Sequence, residues 1–187
     1  FAPALHSAMR HAIGPRREMG IRTIFNILGP LSNPAGAKYG VLGVYHRDLV
    51  TTLAQAAAAL GAQHLFVVHG SDGLDEITTT GPSFVAEVRD GTLKTYDLSP
   101  KDVGLDTAQA KYLVGGEPPE NAETIRRLLS GEKGPKRDIV LLNAAAAIVA
   151  GQKARDLKEG VASAAKAIDS GAAKQKLEKL AELTNKT

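Results

Sequence analysis

Short apolar runs alternate with amphipathic stretches through the middle of the chain. Residues 39–45 (YGVLGVY) and 64–69 (HLFVVH) have the length and composition of buried strands. Residues 48–60 repeat apolar side chains at helical spacing and are followed by Gly61, a residue typical of helix ends. The expected buried face of this helix is Leu49, Leu53, Ala56, Ala57 and Leu60. Strand, helix and strand in this order predict a βαβ unit with parallel strands.

The second half of the chain combines one hairpin with helices. Residues 83–89 and 92–98 alternate in polarity around Asp90-Gly91, which favours a β-hairpin. Ser99, Pro100 and Asp102 have the order of a capped helix start. Helices are predicted at 119–129, 135–150 and 156–183, with a break near Gly171, and residues 141–150 (LLNAAAAIVA) indicate a buried central helix. We therefore expect an α/β fold with a central, largely parallel sheet and a β-hairpin, flanked by helices.

The segment before these elements is richer in turn-forming residues. Residues 6–19 are typical of a helix interrupted near Gly14-Pro15, and residues 22–28 of a short apolar helix. Because glycine and proline punctuate the chain, we expect the second helix to stop at Gly29-Pro30.

Composition narrows the class of protein. The chain has no cysteine, which excludes disulfides and thiolate metal sites and fits a reducing cytoplasm. No apolar run approaches the roughly 20 residues that span a bilayer, and the first residues lack the pattern of a signal peptide, so no membrane partner is expected. Aromatic residues are only 4%, so alanine and small aliphatic residues must pack closely approaching helices. The chain begins at Phe1, within what resembles a structured segment, and we interpret residues 1–187 as part of a longer protein.

Charge is unevenly distributed although the net charge is only +3. Residues 1–47 carry six Lys or Arg against Glu18 alone, whereas residues 71–120 carry ten carboxylates against four Lys or Arg. A basic first quarter suits anionic molecules and an acidic block suits a hard cation, but two solvated faces would give the same pattern.

Three candidate binding features follow. Arg16 offers a planar fork for a carboxylate or phosphate, with His6 near it in sequence, although a surface arginine and a capping histidine are equally ordinary. Gly29-Pro30 could present a rigid backbone to a flat ligand or could simply end a helix. Asp75-Glu76 follows the second strand among glycines, where ligands of open α/β sheets bind, and suits Mg²⁺, although adjacent acids are common in loops.

Other features have a structural interpretation or are absent. Asn143, on the buried helix, must find hydrogen bonds and is expected to hold a neighbouring backbone. The sequence contains no GxGxxG, Walker or GxSxG motif and no histidine-rich metal spacing. The chain thus predicts an acceptor pocket and a metal pair without a pyrophosphate-binding loop.

In this order, the stretches FAPALHSAMR, RREMGIRTIFNILGPLSNPAGA, VVHGSDGLDEIT and LLNAAAAIVAG resemble the anthranilate phosphoribosyltransferase family. The resemblance covers nearly the whole chain and weakens after Gly151. It implies the C-terminal domain fold shared with nucleoside phosphorylases. It also implies transfer of a phosphoribosyl group from phosphoribosyl pyrophosphate to anthranilate in tryptophan biosynthesis.

The resemblance assigns roles to the candidates. It implies that His6 and Arg16 contact anthranilate, that Gly29-Pro30 is a ligand-facing turn, and that Asp75 and Glu76 hold Mg²⁺. The residues around His6 (Leu5, Ser7 and Met9) stand where related enzymes vary, so acceptor preference stays slightly open. The family's N-terminal helical domain and glycine-rich pyrophosphate loop have no counterpart here, so they would precede Phe1 as a missing N-terminal part. The intact enzyme is expected to be a homodimer.

Three alternatives stay open at this stage. The chain could bind ligands without catalysing turnover, or it could be a relative of pyrimidine nucleoside phosphorylases. The IRTIFNILGP segment argues against the second. Low aromatic content and modest charge argue against a nucleic-acid-binding module.

Overall fold

The computed structural model describes residues 14–15, 18–21 and 24–185. The described strands are β1 (Tyr39–Gly43), β2 (His64–Gly70), β3 (Ser83–Arg89) and β4 (Thr92–Leu98). The described helices are α1 (Phe25–Leu31), α2 (Asp48–Ala59), α3 (Pro118–Leu129), α4 (Pro135–Ala150), α5 (Leu157–Asp169) and α6 (Ala172–Thr184). Two short 3₁₀ helices, Pro100–Val103 and Ala110–Tyr112, lie between β4 and α3. The predicted helix at 6–19 lies mostly outside the described residues.

The four strands form one sheet in the order β1-β2-β3-β4. β1 and β2 are parallel and joined through α2, which confirms the predicted βαβ unit. The pairs β2–β3 and β3–β4 are antiparallel, so the described sheet is mixed, and the expectation of a largely parallel sheet was wrong. The reason is local: residues 71–82 contain no crossover helix, and the chain turns back directly from β2 into β3.

Local turn chemistry explains the hairpin and the capped turn. Asp90 and Gly91 have φ angles of 49° and 79°, and two consecutive positive values match the twist of a two-residue hairpin turn. At Ser99, the side chain and that of Asp102 form a reciprocal capping box around the start of the 3₁₀ helix Pro100–Val103. Both features were predicted.

Helices cover both faces of the sheet because alternate strand residues point to opposite sides. On one face, Val50 and Leu53 of α2 pack with Val67 of β2. On the other face, Phe66 and Val68 of β2 pack against four buried residues of α4, which are Leu142, Ala146, Val149 and Ala150. The α/β class and the buried character of α4 are confirmed.

Small residues allow α4 and α5 to approach closely. A β-carbon on Gly160 would lie 2.9 Å from both the Cβ and the carbonyl oxygen of Ala145. The helices therefore depend on the absence of a side chain at Gly160, as the low aromatic content suggested. The predicted break near Gly171 is also confirmed, because its φ of 76° separates α5 from α6.

Two details of the sequence interpretation were wrong. α1 does not stop at Gly29-Pro30 but continues to Leu31 with Pro30 inside the helix, since the fixed φ of proline is a helical value. The helix ends where the Ser32 hydroxyl donates to the Leu28 carbonyl at 2.7 Å. On α2, Leu60 is 67% exposed because it follows the last helical residue, while Val50 and Ala54 join Leu53 and Ala57 in the core.

Candidate functional site

The loop of residues 71–82 leaves the C-terminal end of β2 and carries Asp75 and Glu76. Both residues are exposed. Within the part of the chain that the structure describes, neither carboxylate accepts a hydrogen bond or forms an ion pair. The carboxylate oxygens of Asp75 and Glu76 are thus available to bind a ligand.

The main chain beneath Asp75 is packed against the end of β1. A β-carbon on Gly43 would overlap the carbonyl group of Asp75, so only glycine fits at this position. A turn supports the same segment, since the Gly70 N–H donates to the Leu74 carbonyl at 2.8 Å. The loop therefore lies directly over the end of the parallel strand pair.

Asp72 organises the loop from within. Its Oδ2 accepts hydrogen bonds from the hydroxyls of Thr78 at 2.6 Å and Thr80 at 2.7 Å, and its Oδ1 accepts one from the Leu74 N–H at 3.3 Å. Burial acts to raise the pKa of Asp72, but these hydrogen bonds outweigh it and lower the pKa below its ordinary value. Asp72 thus stays ionised, and its hydrogen bonds hold the two parts of the loop together. The sequence analysis did not single out Asp72. The available signal was the pair Thr78 and Thr80, six and eight residues after it.

Asn143 of α4 fastens the same loop from the opposite side. Its Oδ1 accepts from the Ile77 N–H at 2.9 Å, and its Nδ2 donates to the Ile77 carbonyl at 2.8 Å. The predicted backbone-holding role of Asn143 is confirmed. The sequence did not show that the residue whose backbone Asn143 holds is Ile77, which directly follows Glu76.

Gly29 and Pro30 lie in the last turn of α1 rather than in a turn after it. Pro30 and Leu31 line a cavity of about 380 Å³ that extends along β1 from Tyr39 to Leu42. Apart from its chain neighbours and the backbone of α1, no described atom lies within 4 Å of where a β-carbon on Gly29 would stand. The cavity and the acidic loop thus adjoin the same strand, but Asp75 and Glu76 do not line this cavity. His6 and Arg16 lie outside the described residues.

A second polar cluster occupies the opposite end of the sheet. His64 contacts Glu87 at 2.8 Å with its side chain only 4% exposed, and the Tyr96 hydroxyl donates to Glu87 at 3.2 Å. Burial, followed by the negative charge of Glu87, raises the pKa of Tyr96 well above its ordinary value. The side chains of His64 and Tyr96 both hydrogen-bond to Glu87, so the cluster stabilises the sheet.

Residues 1–174 match the family described as the glycosyl transferase family, a/b domain. The chain belongs to this family. Its α/β sheet and the loop beyond β2 are accordingly those of a glycosyl transferase a/b domain.

Relatives of this glycosyl transferase a/b domain carry a more specific description. A curated anthranilate phosphoribosyltransferase of Citrifermentans bemidjiense is 59% identical over 185 residues, covering 99% of this chain and 53% of the relative. The crystal structure of the Thermus thermophilus anthranilate phosphoribosyltransferase is 48% identical with a TM-score of 0.85, covering 93% of this chain and 51% of the other. The Saccharomyces cerevisiae enzyme in complex with PRPP and Mg is 35% identical with a TM-score of 0.82, covering 92% and 50%.

The glycosyl transferase a/b domain described here spans about half the length of the curated relatives that it matches. None of its described helices is long and apolar enough to cross a membrane. Its described residues contain no group of three or more His, Asp or Glu that could hold a metal ion.

Proposed function

We propose that this chain is the α/β part of an anthranilate phosphoribosyltransferase of tryptophan biosynthesis. The single observation that carries the proposal is the 59% identity to a relative of that name across 99% of the chain. In the reaction, the anthranilate nitrogen bonds to the anomeric carbon of phosphoribosyl pyrophosphate. The bond from that carbon to the pyrophosphate oxygen breaks, pyrophosphate leaves with the electron pair, and the amine loses a proton to solvent.

Residues 1–187 would form one catalytic domain of a longer enzyme. The chain spans about half of each compared relative, and its sequence lacks a glycine-rich phosphate motif. We therefore propose that an N-terminal part of the same enzyme supplies the pyrophosphate-binding groups. A cytoplasmic location and a homodimer belong to the same proposal.

Asp75 and Glu76 are the proposed Mg²⁺ ligands. Three observations support their fit: both are hard oxygen donors, both are exposed, and neither has a described side-chain partner. When bound, Mg²⁺ would neutralise charge on the departing pyrophosphate. The contribution of the protein is a loop whose backbone is fixed by Gly43, Asp72 and Asn143 while the two carboxylates remain open.

The acceptor groups are proposed on the N-terminal side of the domain. Arg16 would clasp the anthranilate carboxylate through its guanidinium and orient the amine, and His6 would help position the ring. Gly29 and Pro30 would face the acceptor from the last turn of α1. Of these two residues, Pro30 lines the cavity along β1 and Gly29 does not.

The activity test compares the 187-residue chain with a longer protein that also carries the residues preceding Phe1. Loss of anthranilate fluorescence is followed with phosphoribosyl pyrophosphate and Mg²⁺. We expect the longer protein to consume anthranilate only when both phosphoribosyl pyrophosphate and Mg²⁺ are present. We expect a loss of activity of at least a hundredfold in the double variant Asp75→Asn with Glu76→Gln, but not in Asp90→Asn. Asp90 is an exposed carboxylate in the hairpin turn, at the other end of the sheet.

The outcomes separate the alternatives. If the longer protein consumed a pyrimidine nucleoside and phosphate but not anthranilate, the proposal would be wrong and the nucleoside phosphorylase alternative correct. The short chain, tested alone by calorimetry, is expected to bind ligands without turnover. Full turnover by the short chain would contradict the proposed need for an N-terminal part.

A further inference from the structure

Asn143 makes two of its three side-chain hydrogen bonds to one residue of the acidic loop. It contacts both backbone groups of Ile77, 66 positions away in sequence, and its Nδ2 also donates to the Ile139 carbonyl at 3.0 Å. Only one orientation of the amide, with Oδ1 toward the N–H, satisfies all three bonds. The side chain thus replaces a strand partner for Ile77, whose own side chain is fully buried.

The position of Ile77 determines the path of the acidic pair. Ile77 follows Glu76 directly, and on the other side the carbonyl of Asp75 rests against Gly43 of β1. Glu76 is therefore held between two fixed points of main chain, one on the sheet and one on α4. Without Asn143, the main chain after Glu76 would first be held at Thr78, whose N–H donates to Ser83 Oγ at 2.8 Å, because only Asn143 among the described residues bonds the backbone of Ile77.

We propose that Asn143 is a positioning residue that fixes the main chain of Ile77 so that Asp75 and Glu76 present their carboxylates together to a divalent cation. This inference rests on the metal role of the pair in the proposed function. Preorganisation is the physical reason: a loop that is already ordered loses less freedom when the cation binds. The buried position of α4 in the core makes it a rigid support.

The test uses the 187-residue chain and Mn²⁺ alone, with free Mn²⁺ measured by electron paramagnetic resonance. In Asn143→Ala we expect the Kd for Mn²⁺ to rise at least tenfold, which corresponds to 1.4 kcal/mol. Hydrogen exchange of the Ile77 amide should accelerate in the same variant even without metal, because its acceptor is gone. Asn143→Ser is the milder second variant. A serine hydroxyl can still donate to the Ile139 carbonyl in its own helix but does not reach Ile77.

A matched control separates positioning from general loosening. Val149→Ala also removes buried contacts of α4, but Val149 packs near Phe66 and Arg155, towards the end of the sheet away from the acidic loop. It should lower the melting temperature while leaving the Kd for Mn²⁺ within about twofold of wild type.

The inference is overturned if both Asn143 variants bind Mn²⁺ as wild type does, if Val149→Ala weakens binding equally, or if neither Asn143 variant folds. The metal role of Asp75 and Glu76, on which this inference rests, has its own test. If the wild-type chain binds Mn²⁺ no better than the double variant Asp75→Asn with Glu76→Gln, the metal role of the pair is wrong, whatever Asn143 does.

Discussion

Gly43 and Asp75 are in such close contact that a β-carbon on the glycine would overlap the main-chain carbonyl of the aspartate. Gly43 is the last residue of β1, and Asp75 lies in the loop that leaves the neighbouring parallel strand. The conformation of Gly43 is not left-handed, so glycine is required here by space and not by backbone angle. The close approach couples the position of the acidic loop to the sheet.

Substituting Gly43 by alanine should therefore destabilise the fold and displace the loop. The clash is with backbone, which cannot rotate away, so we expect a loss of roughly 3 kcal/mol, at the upper end of overpacking costs. Urea denaturation measures this loss, and Mn²⁺ affinity should fall with it.

Gly40→Ala is the matched control on the same strand. A β-carbon on Gly40 meets only the Leu65 Cδ1 at 3.6 Å, an ordinary contact. Because alanine restricts the unfolded chain more than glycine does, Gly40→Ala should be neutral or stabilising by about 0.5 kcal/mol. Equal effects of the two substitutions would contradict the steric explanation.

The depressed pKa of Asp72 predicts a specific dependence of stability on pH. A group whose folded pKa lies below its unfolded value stabilises the fold above the unfolded pKa, here near the ordinary 3.8, and loses that contribution as pH falls through the folded pKa. The difference in unfolding free energy between wild type and Asp72→Asn should thus be greatest above pH 4 and should shrink below it. Urea midpoints between pH 2.5 and pH 6 measure this difference.

Thr80→Val tests the cause of that shift. Valine keeps the shape of threonine but removes the hydroxyl that donates to Asp72 Oδ2. The folded pKa of Asp72 should therefore rise toward its ordinary value, and the acid limb of the stability curve should move to higher pH. An unchanged acid limb would show that the hydroxyl of Thr80 does not hold the carboxylate ionised.

Features set by neighbouring residues were predictable from the sequence. The hairpin depends on Asp90 and Gly91, which adopt the required positive φ angles themselves, and the break between α5 and α6 depends on Gly171 in the same way. The βαβ unit followed from the periodicity of apolar residues in 39–69. The local rule failed at Gly29-Pro30, where α1 includes both residues because the fixed φ of proline is a helical value.

The candidate site was only partly predictable because its supports are distant in sequence. The pair Asp75-Glu76 could be proposed from its place after a buried strand. That Gly43 lies beneath it depends on the parallel pairing of β1 and β2, and that Asn143 bonds Ile77 depends on where α4 crosses the sheet. An asparagine in an alanine-rich helix shows that a hydrogen-bond partner must exist, but it does not identify the partner.

Tyr96 should ionise later in the folded chain than in the unfolded one. Its raised pKa means that the folded state retains the phenolic proton, so its contribution to stability is present below pH 10 and is lost as pH rises above that value. Absorbance of tyrosinate, compared between native and urea-unfolded chain near pH 11, should show a deficit in the native state. Tyr96→Phe should remove the part of that deficit due to one tyrosine. A deficit unaltered by the substitution would contradict the assignment to Tyr96.

Arg16 is the residue on which acceptor recognition is proposed to depend. Replacing it by alanine in the active enzyme removes a charge-assisted pair with the anthranilate carboxylate, a contact of about 1.5–3 kcal/mol. The KM for anthranilate should accordingly rise about tenfold or more, while the KM for phosphoribosyl pyrophosphate stays within twofold, as initial rates at varied concentrations of each substrate would show. Arg17→Ala, which removes the adjacent positive charge, is the control and should leave both constants nearly unchanged. If the KM for anthranilate were the same in Arg16→Ala as in wild type, Arg16 would not bind the acceptor.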